Sequence, residues 1–129
     1  MLDTNAVSAI IKDRAKTLSA ILNERSSCIS VITEAELRFG LVRRAINTDL
    51  RRIVENYLAS VDILPWSSAS AQRYSLLRTE LEKLGNSLAP MDLLIASHAL
   101  AENCTLVSAD RAFAQVPGLQ LHDWSISPQ

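Results

Sequence analysis

Residues 28–44, Cys28-Ile29-Ser30-Val31-Ile32-Thr33-Glu34-Ala35-Glu36-Leu37-Arg38-Phe39-Gly40-Leu41-Val42-Arg43-Arg44, decide the fold class. Cys28 to Ile32 is a continuous apolar run, the pattern of a strand covered on both faces. It passes without a linker into Thr33–Arg44, which reads as a helix. The apolar positions of that helix, Ala35, Leu37, Phe39, Leu41 and Val42, do not form a clean stripe. A buried strand running straight into a helix is the unit of a parallel sheet with helices on its faces.

Outward from this stretch the alternation repeats. A helix is expected from about Thr48 to Ser60, with Leu50, Ile53, Val54, Tyr57 and Leu58 at helical spacing. Val61–Leu64 reads as a third strand closed by Pro65. Ser67 to about Leu84 reads as a long helix stopped by Gly85. Pro90 opens a helix, Met91–Glu102, apolar over most of its circumference and so expected to be buried. Thr105–Ser108 is the fourth strand, Asp110 starts a helical turn through Phe113, and Leu119–Leu121 is a short last strand. On the other side, Met1–Asp3 is a stub of a strand. Asn5 is the expected cap of a helix from Ala6 to about Lys12, and another helix is expected from about Ala15 to Arg25. The fold predicted is α/β, a three-layer α/β/α sandwich with a mostly parallel sheet of four or five strands. One domain is expected to span residues 1–129.

With 129 residues, 48% of them hydrophobic, the chain can bury a core without disulfides or metals. Lys and Arg number 13 against 14 Asp and Glu, a net charge of -1, so the balance alone does not announce a nucleic-acid binder. The first residues lack the basic and apolar regions of a signal peptide, and no run reaches the length of a membrane span; the cytoplasm is the expected location and no membrane partner is expected. Cys28 and Cys104 lie beside apolar runs without ligand spacing and are expected in the core. The three glycines, Gly40, Gly85 and Gly118, cannot make a phosphate-cradling loop, and no Ser stands in a G-x-S-x-G turn. His98 lies six residues beyond Asp92, on another helix face, and His122 is isolated. Both read as structural or exposed.

Four acids are placed differently from the rest. Sites in open parallel sheets form outside the carboxyl ends of the strands. Asp3 ends the first strand, Glu36 lies in the first turn after the second, and Asp110 follows the fourth. Asp92 starts the buried helix leading back to that strand. Singly, most have ordinary explanations: Thr33 and Glu36 fit a capping box, Asp92 suits a helix dipole, and Asp110 suits an N-cap. Together they would repel one another in a partly dehydrated cleft unless cations or protons neutralise them. Oxygen-only ligands suit Mg²⁺ or Mn²⁺, which activate water for phosphodiester hydrolysis and leave 5′-phosphate and 3′-hydroxyl ends. Setting the four aside leaves 13 basic residues against ten acidic ones, a mildly basic remainder.

The residues resemble the PIN-domain ribonucleases, specifically the VapC toxins of type II toxin-antitoxin pairs. MLDTN is similar to that family's first-strand motif, ITEAELRFG to its second, PMDLLIASHAL to the segment carrying the third acid, and TLVSADRAFAQVPGLQLHDW to its C-terminal block. The ordered set covers essentially the whole chain. Asn often stands in the family where Asp110 stands here. The resemblance implies a metal-dependent endoribonuclease with catalytic Asp3, Glu36, Asp92 and Asp110, and with Asp3 and Asp92 holding Mg²⁺ or Mn²⁺. It implies a structured RNA substrate, often a tRNA, and a homodimer restrained by a small cognate antitoxin of VapB type. DNA would be reached only through that antitoxin.

Rival readings fail on particular residues. A receiver domain needs a lysine at a late strand end, and the lysines are Lys12, Lys16 and Lys83. A haloacid-dehalogenase-like phosphatase needs D-x-D where this chain has Asp3-Thr4-Asn5. A PIN-like module with a decayed site, acting only through its antitoxin, is the alternative from another class; retention of all four acids argues against it. Arg38, Arg43, Arg44, Arg51 and Arg52 stand where they could meet RNA phosphates, the acids of an antitoxin, or solvent alone.

Overall fold

The computed structural model describes residues 1–12, 26–44 and 48–125; the helix expected from about Ala15 to Arg25 lies outside them. Strands β1 (Cys28–Ser30) and β2 (Asp62–Leu64) pair in parallel, Ile29 opposite Ile63, and β3 (Leu106–Val107) and β4 (Leu121–His122) pair in parallel, Leu106 opposite Leu121. Leu2 forms parallel bridges to Ile29 on one side and Val107 on the other. The N-terminal stub therefore joins both pairs into one sheet, ordered β2-β1-Leu2-β3-β4. Three backbone hydrogen bonds fix it: Leu2 N donates to Cys28 O (2.9 Å), Asp3 N to Val107 O (3.1 Å) and Val107 N to Met1 O (2.8 Å). From this centre the chain first winds one way, to β1 and β2, and later the other, to β3 and β4. The place where the winding reverses lies between Leu2 and β3.

Strand alternation sorts the core into two layers. Leu2, Ile29 and Val107 face Ala6 and Val7 of α1 (Thr4–Ile11), Leu37 and Leu41 of α2 (Val31–Arg43), and Val54 and Leu58 of α3 (Thr48–Ser60). Met1 and Leu106 face Leu77 and Leu81 of α4 (Ser68–Lys83), Ile95, Ala96 and Ala99 of α5 (Pro90–Ala101), and Phe113 of the 3₁₀ turn Arg111–Gln115. The three-layer α/β/α arrangement follows, with every described pairing parallel.

Several boundaries differ from the expected ones, and hydrogen bonds explain each. β1 stops at Ser30, whose Oγ accepts from Ile32 N at 3.1 Å and caps α2, so the helix starts at Val31 rather than Thr33. The expected Thr33–Glu36 capping box is not formed: Thr33 is fully buried, its hydroxyl without a hydrogen-bond partner among the described residues. Glu36 thus stands in the second helical turn. α2 lacks a clean stripe because it changes neighbours along its length. Ile32 packs with the α4–α5 layer, Leu37 and Leu41 with the other, while Phe39 and Val42 remain 64% and 72% exposed. At the N-terminus the cap is Asp3, not Asn5, and α1 begins at Thr4.

The two helices that connect β2 to β3 are bounded as expected. After α4, Gly85 takes φ 72°, its N–H bonds Glu82 O (3.1 Å), and Asn86 N bonds Leu81 O (2.9 Å). This is a closing motif that needs a left-handed residue. Pro90 is the first residue of α5, whose Leu93 and Ile95–Ala99 are buried. Cys28 and Cys104 are half-buried free thiols rather than full core residues. Among the described residues no helix is long and apolar enough to cross a membrane.

Candidate active site

The carboxyl ends of the two central strands hold Asp3 and Ser108. Asp3 is 4% exposed, and its two oxygens are used separately. Oδ1 accepts from Ala6 N at 2.8 Å, capping α1, and Oδ2 accepts from Ser108 Oγ at 2.5 Å. Ser108 Oγ in turn accepts from Asp110 N at 3.0 Å, and Asp110 Oδ1 accepts from Ala112 N at 2.9 Å to cap the 3₁₀ turn. On the α1–α2 side, Thr4 Oγ1 donates to Glu36 Oε1 at 2.6 Å. Asp92, the third residue of α5, has no hydrogen-bond partner among the described residues and is half-buried.

Electrostatics tie the four together. Burial raises the Asp3 carboxyl above the ordinary range; Ser108 and the Ala6 N–H pull it back, while Asp110 and Glu36 push it further up. The Asp92 carboxyl is pushed up to about 6, first by burial and then by Asp110, Glu36 and Asp3. The four expected acids therefore share one electrostatic field at the rim where the winding reverses. Asp3 and Asp110 act as helix caps there and still share the field, so capping does not remove an acid from the site.

Among the described residues no three acidic, imidazole or thiol groups are placed to hold one metal ion together. Asp3 has both oxygens hydrogen-bonded and Glu36 has one, whereas Asp92 is free to take a new partner. The donor set still fits a hard divalent ion. Mg²⁺ is commonly held by one or two carboxylates plus water and phosphate oxygens, and a cation would offset both the burial and the acidic neighbours that raise Asp92.

Thr4 and Ser108 hydrogen-bond Glu36 and Asp3 at this rim, and the pattern of acids in the sequence does not reveal them. The available signal was position: each is a hydroxyl residue at a strand's carboxyl end, one residue after Asp3 and two before Asp110. His98 is structural, fully buried with Nδ1 2.7 Å from Ser30 Oγ. Trp66 Nε1 donates to Leu94 O at 3.1 Å, a second tie on α5. His122 is exposed.

Residues 1–119 match the PIN domain family. The chain is 36% identical to ribonuclease VapC2 of Rickettsia felis over 129 residues, covering 96% of both chains. It is 31% identical to the tRNA(fMet)-specific endonuclease VapC of Shigella flexneri over 128 residues, covering 97% of both. Among solved structures, VapBC2 of Rickettsia felis bound to a DNA fragment from its promoter superposes with a TM-score of 0.87 at 33% identity, covering 96% of this chain and 97% of that one. With a fold, an ordered motif set and full-length relatives in agreement, this chain belongs to the PIN-domain family, in its VapC branch.

Proposed function

We propose that this chain is the ribonuclease toxin of a toxin-antitoxin pair, hydrolysing a phosphodiester of structured RNA with Mg²⁺ or Mn²⁺, and that residues 1–129 act as one nuclease domain. The observation that carries the reading is the convergence of Asp3, Glu36, Asp92 and Asp110 on one sheet edge, in a chain whose full-length relatives are named ribonucleases.

The residues divide the work by their surroundings. Asp92, unbonded and half-buried, and Asp3, fixed by Ser108 and Ala6, are the carboxylates that would hold the cation. The cation supplies charge neutralisation at the phosphate and activation of water. Ser108 aligns Asp3 and the Asp110 backbone through one hydroxyl, so both acids keep a fixed orientation. Thr4 holds Glu36 toward the same edge. Asp92, with its proton held to about pH 6, is charged at neutral pH and becomes a poorer cation ligand in acid.

The partner reading rests on the DNA-bound VapBC2 relative: a small antitoxin of VapB type would restrain this chain and carry its contact with DNA. Exposed Phe39 and Val42 on α2, and Leu76 on α4 with the adjoining Leu84, supply apolar surface for a homodimer or for that partner. Sedimentation showing monomer alone at micromolar concentration would remove the dimer.

The central test is cleavage of a tRNA by purified protein in Mg²⁺, with and without excess EDTA. Cleavage confined to the Mg²⁺ arm, leaving 5′-phosphate ends and lost in Asp92→Asn, is the expected result. Undiminished cutting in EDTA would overturn the metal reading. Absence of cutting under any condition, with antitoxin binding intact, would favour the decayed binding module.

A further inference from the structure

Given the nuclease reading, on which this inference rests, something must hold the acids in register. Asp92 has no hydrogen-bond partner among the described residues, so its position depends on how α5 is seated rather than on contacts of its own carboxyl. Leu93, Ile95, Ala96 and Ala99 bury α5 by apolar contact, which defines a unique seat less sharply than directional contacts do. Two directional contacts are present. Trp66 Nε1, just beyond β2, donates to Leu94 O at 3.1 Å. His98 Nδ1 lies 2.7 Å from Ser30 Oγ, and both residues are fully buried.

The proton in the second contact can be assigned. Ser30 Oγ accepts from Ile32 N at 3.1 Å. If it accepted from His98 as well, its own proton would be buried without a partner, so Ser30 donates and Nδ1 accepts. The ring proton then sits on Nε2, which is turned toward the Pro65 carbonyl without a well-aligned hydrogen bond. One imidazole thus meets the ends of β1 and β2 and, through the Ser30 cap, the start of α2.

The acids lie at equal offsets from this contact. Asp92 precedes His98 by six residues on α5, and Glu36 follows Ser30 by six on α2. Each therefore stands about 9 Å along its helix at roughly 1.5 Å per residue, and a change of about 6° between the helices moves an acid by about 1 Å. A displacement of that size costs on the order of 100-fold in rate. Filling the space between α2 and α5 does not require a polar pair, since an apolar pair of similar volume is often as stable. What the directional pair adds is one register.

We infer that Ser30 and His98 form the positioning unit of the site, holding Asp92 at the distance from Glu36 that cleavage needs. Neither touches the reacting atoms. They act through the two helices that carry the acids.

The test compares His98→Leu, which nearly fills the ring's space but offers no acceptor, with His98→Asn, which leaves a gap but keeps an acceptor near Ser30. Volume and hydrogen bonding thus pull in opposite directions. Ser30→Ala, its combination with His98→Leu, and Leu58→Ala, a core change on α3 in the other layer, complete the set. Urea unfolding fixes conditions in which each protein is folded. Cleavage of a labelled tRNA in Mg²⁺ then gives kcat and KM, and calorimetric titration with Mn²⁺ in the absence of RNA gives cation affinity. His98→Leu and Ser30→Ala are expected to lose about 10- to 100-fold in kcat and in Mn²⁺ affinity, the loss typical of residues that orient a metal site from outside it. KM should hold, as for an interaction felt mainly in the transition state. His98→Asn should lose less than His98→Leu, and the double variant no more than either single change. Leu58→Ala should lose stability but neither kcat nor cation affinity.

Leu outperforming Asn at position 98, additive losses in the double variant, or kcat falling with stability in Leu58→Ala as well would overturn the inference and leave the pair as core packing. Equal cutting by wild type and all variants would remove the positioning role and keep the nuclease. A wild type that neither cuts RNA nor binds Mn²⁺ would remove the nuclease reading, and this inference with it.

Discussion

At the scale of single residues, Asp92 carries the sharpest consequence, because its two roles predict opposite signs. Its carboxyl ordinarily titrates at 3.8 and here near 6, so between those values the folded chain binds more protons than the unfolded one. Metal-free stability therefore falls as pH rises through that window, and above it Asp92 exerts its full penalty. The shift would correspond to about 3 kcal/mol if unscreened, but the half-exposed group is partly screened, leaving about 1 to 2 kcal/mol. Asp92→Asn is expected to raise stability by that amount in EDTA at pH 7 and to abolish cleavage. A residue serving only the helix dipole would instead lose a few tenths of a kcal/mol on the same change. Melting of both proteins in EDTA and in millimolar Mg²⁺ decides the matter: a lower metal-free melting point with an unchanged Mg²⁺ response would leave Asp92 a helix-start acid only.

At the scale of elements, the helices were legible where their apolar periodicity or stop signals are strong, as in Thr48–Ser60 and the Gly85 terminus. The start of α2 was not. Val31 and Ile32 are β-branched and extend the apolar run, yet Ser30 ends the strand by capping the next turn. That choice is made by a tertiary contact, since Ser30 Oγ also meets buried His98 Nδ1 across the layer. The pair thereby ties the start of the helix bearing Glu36 to the helix bearing Asp92. Ser30→Ala removes a cap and leaves a buried ring nitrogen without its partner, an expected loss of about 2 kcal/mol by urea unfolding. A change within a few tenths would show that the contact is incidental. Burial also lowers the His98 pKa, although Glu102 and the Pro65 carbonyl oppose the shift. Between that lowered value and 6.5 the folded state binds fewer protons, so stability should be lost as pH falls below about 6.5. His98→Asn, which keeps an acceptor near Ser30, should flatten that limb in a pH series of unfolding midpoints.

At the scale of the whole molecule, the four acids could be located in advance because parallel α/β topology gathers strand ends on one rim, whatever their separation in sequence. Their hydroxyl partners Thr4 and Ser108 were less visible, because Ser and Thr are common at helix starts and only the folded rim shows which ones face acids. The same topology makes the near-neutral net charge uninformative: acids cluster on the rim and basic residues stand at the far ends of α1 and α2. The double variant Glu36→Gln, Asp92→Asn isolates this arrangement. It leaves 13 basic residues against 12 acidic ones, a net charge of +1, with buried Asp3 and its hydrogen bonds untouched. In EDTA the wild-type rim should repel RNA, so removing two of its charges should tighten RNA binding by roughly tenfold or more at low salt, despite complete loss of cleavage. Millimolar Mg²⁺ should strengthen binding by wild type and add little for the variant, because the repulsion it relieves has already been reduced. Anisotropy with a labelled stem-loop in both buffers measures each term. Equal metal-free affinities for the two proteins would mean that RNA does not approach Glu36 and Asp92, and the rim would lose its standing as the place of cleavage.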